Sequence, residues 1–224
     1  MPATLSAHAI LRRAGAVLIA AGAIDFAAMV ARIAAGNDYS YSMALPAIIG
    51  GALLLRGSLK AAFYLAWIAS VLLPIAVASG VIALLQPLDL TLTQLRLDPA
   101  GQIGKALPLV LFCAVLYWLR DQLQCPPIQA ALLTSGQRQP AVHLALGIGV
   151  VLALLALVGQ QLGRHGDLAD KAVSMAQQKQ GDGYHYYASK ITTRDDQQGK
   201  IVEATVMAWR ADRVDVVDVV WKEQ

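Results

Sequence analysis

Charge is scarce in this 224-residue chain: Asp, Glu, Lys and Arg together make up 15% of it, and aromatic residues 6%. A soluble domain ordinarily carries about a quarter charged residues, so most of this chain lacks the surface that water requires. Cysteine is limited to Cys113 in an apolar run and Cys125 in a polar loop, which excludes a disulfide framework and any C-x-x-C site. His8, His143, His165 and His185 are scattered and form no H-x-x-x-H or H-x-x-E-H pattern, so no metal site is expected. Phosphate-cradling glycine loops, dinucleotide turns and a G-x-S-x-G elbow are missing too, and with them the usual grounds for expecting a cofactor or an enzyme.

Apolar residues are abundant, at 57% of the chain, and the charges that exist are unevenly placed. Residues 1–163 hold five acids (Asp25, Asp38, Asp89, Asp98 and Asp121) against nine Lys and Arg. Residues 164–224 hold ten acids against nine Lys and Arg. The division predicts two domains: a transmembrane helical bundle over 1–163 and a small water-soluble domain over 164–224. The basic balance belongs to the membrane part and orients helices; basic residues are not interleaved with aromatics as a nucleic-acid surface requires.

Five apolar stretches predict five transmembrane helices, near 14–35, 43–55, 61–85, 103–119 and 142–162. About 20 residues cross the ~30 Å hydrocarbon core. The stretch at 43–55 is short; it either borrows residues 39–42 to span or is re-entrant. With the N-terminus inside, Arg12, Arg13, Arg56, Lys60, Arg120 and Arg138 collect on the cytoplasmic side, and Arg32, Arg96, Lys105 and Arg164 on the other. An odd number of spans then places the C-terminal domain in the periplasm of a bacterial inner membrane. The first stretch exceeds a signal-peptide core and is expected to stay as an anchor. Small residues at Ala27, Ala31 and Ala35, at Gly50 and Gly51, at Ala76 and Gly80, and at Gly149 and Ala153 suit close helix approach, either within the bundle or in a homo-oligomer. Pro74 is expected to kink the third span, with Ser70 as a partner for the freed backbone groups.

The tail reads as α+β. Asp167–Gln180 carries a narrow apolar stripe and is stopped by the Gly-Asp-Gly at 181–183. Tyr184–Thr193, Ile201–Trp209 and Arg213–Trp221 read as a three-stranded antiparallel meander. Val214 and Val216 share one parity in the last run and Val217, Val219 and Trp221 the other, which predicts a bulge near Val216. About 58 residues is little for a self-sufficient core. The domain is therefore expected to lean on the membrane body or to offer an open edge to a partner.

Tyr39-Ser-Tyr-Ser42, the LLRGSLKAA run over Leu54–Ala62, the QPLDL run over Gln86–Leu90 and the Gly183–Ile191 opening of the tail resemble a group of proteobacterial inner-membrane proteins with no assigned activity. That resemblance implies multiple spans and no substrate. A span leading into a helix and a meander is also similar in topology to type IV pilins, although the pilin processing signature is missing.

Asp25 is the residue whose position most needs explaining. It sits near the middle of the first span, where an acid costs roughly 2.5–3.5 kcal/mol on insertion scales. Arg32 lies on the same helical face. Intramembrane acids mark ion or proton paths or are tied to polar groups on another span. Tyr184, Tyr186, Tyr187, Trp209 and Trp221 are the candidate partner-binding residues; the alternative is that they pack the domain. The expected function is a non-enzymatic accessory, assembly or immunity-type membrane protein presenting its C-terminal domain to an envelope protein. A small transporter or ion-coupled protein using Asp25 is the alternative, and a lipid-modifying enzyme the third reading.

Overall fold

The computed structural model describes residues 6–36, 44–136, 141–164, 166–196 and 199–223. The element order is α1 (Ala7–Ala34), α2 (Ala44–Leu55), α3 (Leu59–Leu84), α4 (Leu88–Leu97), α5 (Pro99–Leu123), α6 (Pro126–Thr134), α7 (Val142–Arg164), α8 (Asp167–Gln180), β1 (His185–Asp196), β2 (Gly199–Arg210) and β3 (Arg213–Glu223). The chain separates into two units, one of residues 1–74 with 112–150 and one of residues 75–111 with 151–224.

Among the described residues four helices are long and apolar enough to cross a membrane: α1, α3, α5 and α7. The count is four, where five spans were expected. The stretch at 43–55 yields α2, a helix of 12 residues. At 1.5 Å per residue that is about 18 Å, short of the ~30 Å hydrocarbon core. Tyr39–Ser42, which the second span would have to borrow, lie outside the described residues.

Local sequence sets the helix ends. Ser6 caps α1 by accepting from the Ala9 amide at 3.4 Å, and Ser58 caps α3 by accepting from the Ala61 amide at 3.3 Å. Asp98 begins α5 in the same way, taking the Gly101 amide at 2.8 Å, with Pro99 preset as the first helical residue. Gly57 closes α2 at φ +76°, a left-handed conformation that a Cβ disfavours, and its amide bonds the Leu54 carbonyl at 2.8 Å.

In the first unit α1 and α2 pack antiparallel through glycines. A Cβ added at Gly15 would lie 2.6 Å from the Gly51 carbonyl oxygen, and one at Gly51 would lie 2.7 Å from the Gly15 carbonyl oxygen. Gly22 sits as tightly against Ala44 and Ile48, and Gly57 lies beside His8. The chain is thus back beside the start of α1 when α2 ends. Backbone-to-backbone approach of this kind maximises dispersion where the hydrophobic effect cannot drive association. The residues that make it are Gly15, Gly22 and Gly51; Ala27, Ala31 and Ala35, the expected stripe on α1, are exposed. Gly149 of α7 is pressed against Val71 and Pro74 of α3. Ser70 spends its hydroxyl on the Ala66 carbonyl at 2.7 Å, one turn before the carbonyl that Pro74 frees.

The second unit contains the sheet, in the order β1-β2-β3 and antiparallel throughout. Ala172 and Ala176 of α8 meet Val202, Ala204, Val206, Ala208, Val217, Val219 and Trp221 in one buried cluster. Alanines on the helix let it sit close to the sheet. The expected bulge near Val216 does not occur: β2 and β3 pair without a shift. The irregularity lies in β1 between Ala188 and Lys190. There the Ser189 hydroxyl donates to the Thr205 carbonyl at 2.9 Å, a ladder oxygen of the neighbouring strand. Without a bulge in β3, Val214 and Val216 face away from α8, and Val216 is 60% exposed. Two helices were not expected. α6 follows α5 across Pro126–Pro127, and α4 packs against β2 and β3.

Candidate functional site

The sheet sorts the tail residues onto two faces, because directly paired residues share a side. Tyr186–Ala208, Ala188–Val206 and Ile191–Ala204 point toward α8. His185–Trp209–Val214, Tyr187–Met207–Val216, Lys190–Thr205–Asp218 and Thr192–Glu203–Val220 form rows on the opposite side. That far face is apolar at the His185 end and polar at the Lys190 end. Thr205 donates to Asp218 at 2.9 Å, and a shallow depression there is lined by Lys190, Thr192, Glu203, Thr205, Asp218 and Val220. Val216 and Val220, each 60% exposed, stand on either side of Asp218.

The five aromatics proposed from sequence do not form one platform. Trp221 belongs to the buried cluster, and Tyr184 and Tyr186 pack against it. Trp209 is only 7% exposed, on the far face, with the His185 ring 5.6 Å away. Tyr187 shares that face. The Tyr186 hydroxyl donates to the Gly181 carbonyl, tying the first strand to the end of α8. Partial burial, and then the nearby Asp182 and Tyr184, hold the Tyr186 phenol above its ordinary value. Lys171 lies over the buried Trp221 ring at 5.7 Å and Arg210 over the half-buried Tyr184 at 5.3 Å, so a cation on the rim faces each aromatic.

Both outer strands have an unpaired side among the described residues, and each carries charge or capping. Arg213 and Asp215 pair at 2.8 Å at the start of β3, and the hydrogen bond to Asp215 raises the exposed Arg213 guanidinium further. Lys179 of α8 donates to the Asp218 carbonyl of β3 at 3.0 Å. Charged edge residues discourage indiscriminate strand pairing.

Asp25 lies in α1 beyond Gly22, the last point at which α2 is seen to press on it, and is half-buried; Arg32 is exposed, and neither is without a partner. Among the described residues no three of His, Cys, Asp and Glu gather as a metal site would require, and Cys113 and Cys125 are free thiols.

Sequence reasoning missed α4 and its contact with the sheet. The alternation of Leu88, Leu90 and Leu92 mimics a strand. The helical signal was in the ends: Pro87 before it, Asp89 in its first turn, Arg96 in its last and Pro99 after it. No protein-family model, curated protein or solved structure matches this chain.

Proposed function

We propose that this protein is a non-enzymatic accessory, assembly or immunity-type component of a bacterial inner membrane, which holds its C-terminal domain in the periplasm to dock an envelope protein. The observation that carries this reading is the sheet. One face is sealed by α8, while the other keeps Val216 and Val220 in solvent beside a polar patch of Lys190, Glu203 and Asp218. Two large aliphatic side chains flanking a charge on a rigid strand suit a partner, because burying each removes apolar surface from water at about 25 cal/mol per Å². The loop charges support that orientation, as does a chain that returns beside His8 after α2 and leaves α3, α5 and α7 as an odd number of further candidate passes.

The test is affinity purification in mild detergent of the full chain, of a chain ending at Gly166, and of the full chain carrying Val216→Lys and Val220→Lys. A docking domain retains a distinct envelope protein with the full chain and loses it with both altered forms. A partner that stays bound to the chain ending at Gly166 refutes the reading and shifts attention to the membrane helices and Asp25.

A further inference from the structure

We infer that the C-terminal end of α5 binds the phosphate of an anionic phospholipid headgroup, with Arg120 and Gln124 as its donors. Gln124 directly follows α5, and its amide bonds the Arg120 carbonyl at 3.1 Å, so the two side chains are one turn apart. Arg120 Nε and Gln124 Nε2 are both buried, and neither has a hydrogen-bond acceptor among the described residues. An unsatisfied buried donor costs more free energy than a typical hydrogen bond returns, so such atoms in native proteins ordinarily meet a ligand, an ion or water. A guanidinium N–H and an amide N–H on one face are two donors, one of them charged, and a phosphate oxygen accepts from both.

Depth and charge point to a lipid as the source of that phosphate. At 25 residues α5 is about 37 Å long, so its last turn reaches past the ~30 Å hydrocarbon core into the headgroup layer. Tyr117, 61% exposed, and Trp118 sit just before Arg120, as aromatic residues do at that interface. Arg12, Arg13, Arg56 and Lys60 are exposed near the start of α1 and the end of α2, which His8 and Gly57 bring together, and α6, which follows α5, touches α1. Such a cluster concentrates anionic lipid near the surface.

The experiment uses the full chain, stripped of lipid in detergent, and measures lipid binding by native mass spectrometry and thermal stability with phosphatidylglycerol, phosphatidylcholine or inorganic phosphate added. Wild type is expected to retain one phosphatidylglycerol and to be stabilised by it more than by phosphatidylcholine. Arg120→Gln and Gln124→Leu should each weaken that binding about tenfold, the loss expected of one charge-assisted hydrogen bond. Should Arg120→Gln fail to fold, Arg120→Lys keeps the charge, loses the Nε–H, and should still weaken retention. Undiminished phosphatidylglycerol binding in the variants overturns the site. Equal stabilisation by inorganic phosphate overturns the lipid assignment.

Discussion

Two glycines of α7, two residues apart, should respond to the same substitution in opposite ways. A Cβ at Gly149 would lie 3.0 Å from the Val71 Cα and 3.1 Å from the Pro74 Cγ, and nearer still to the Val71 carbonyl oxygen. None of these atoms can yield: two are backbone and the third is locked in a ring. Carbon contacts are most favourable at about 3.5–4.0 Å, so α7 must withdraw from α3 by roughly 0.5–1 Å, forfeiting a quarter to a half of the dispersion at each contact along the crossing. Overpacking of this kind costs about 1–3 kcal/mol. Gly147 is exposed, and a Cβ there meets nothing within 4 Å. In water Gly→Ala inside a helix gains about 0.5–1 kcal/mol; a bilayer keeps the separated helix folded, so the gain shrinks toward zero. Gly149→Ala should therefore destabilise the bundle while Gly147→Ala leaves it unchanged or slightly steadier. Reversible unfolding in mixed lipid–detergent micelles reads both. Equal destabilisation by the two variants would refute the crossing at Val71 and Pro74.

The α1–α2 contact makes a related prediction about coupling. Gly15→Ala and Gly51→Ala each force the helices apart, but the second enters space the first has opened; the double variant should fall short of the sum of the single losses by about 1 kcal/mol, and strict additivity would show that the glycines do not face each other. Tyr186 makes a prediction in pH. A raised folded value means the native state keeps the phenol proton longer than the unfolded chain, so this contribution is full below the ordinary value near pH 10 and is lost as pH rises through the folded value. Phenolate absorbance of the full chain should contain a late-titrating tyrosine that disappears in Tyr186→Phe; a titration curve unchanged by that substitution would count against the bond to Gly181.

What could be read in advance follows from which forces act locally. The helix Asp167–Gln180 was legible to the residue, because its apolar stripe, the acids Asp167 and Asp170 in its first turn and the Gly181 stop all depend on neighbours within one or two turns. The meander was legible from alternation and turn residues. The place of its irregularity was not. Val214 and Val216 invited a bulge in β3 on the premise that both must be buried, whereas Val216 is left in solvent and the extra residue is Ser189, whose hydroxyl can serve the ladder. The second span was overread because apolar composition identifies a segment that tolerates lipid without fixing where helix begins; α2 is apolar throughout yet only 12 residues long. Of the small residues read in advance, Gly51 and Gly149 make close helix contacts, whereas Ala27, Ala31 and Ala35 are exposed in the single chain, since close approach selects the face that a neighbour occupies. Arg120 was read only as a charge beside a span and Gln124 not at all; their buried donors arise from packing that sequence spacing does not encode.

The contact of α4 with β2 and β3 alters how the soluble part should be understood. Read from sequence, the domain begins near residue 164 and must form its core from one helix and three strands. In the structure residues 75–111 belong to the same unit, with Leu90 fully buried and Thr93 nearly so on one side of α4. Leu88, Leu92 and Leu95 remain exposed on the same helix, too apolar for open water and too interrupted by Asp89, Gln94 and Arg96 for the hydrocarbon core. That composition suits the boundary between the two, with leucines toward the acyl chains and polar groups among headgroups. A helix that lies along the boundary and packs against the sheet gives a small domain the cover that three strands and α8 cannot supply alone. On the docking function proposed above, a helix at that boundary would also hold the domain near the lipid surface, and Val216 and Val220 would then meet partners presented at the membrane.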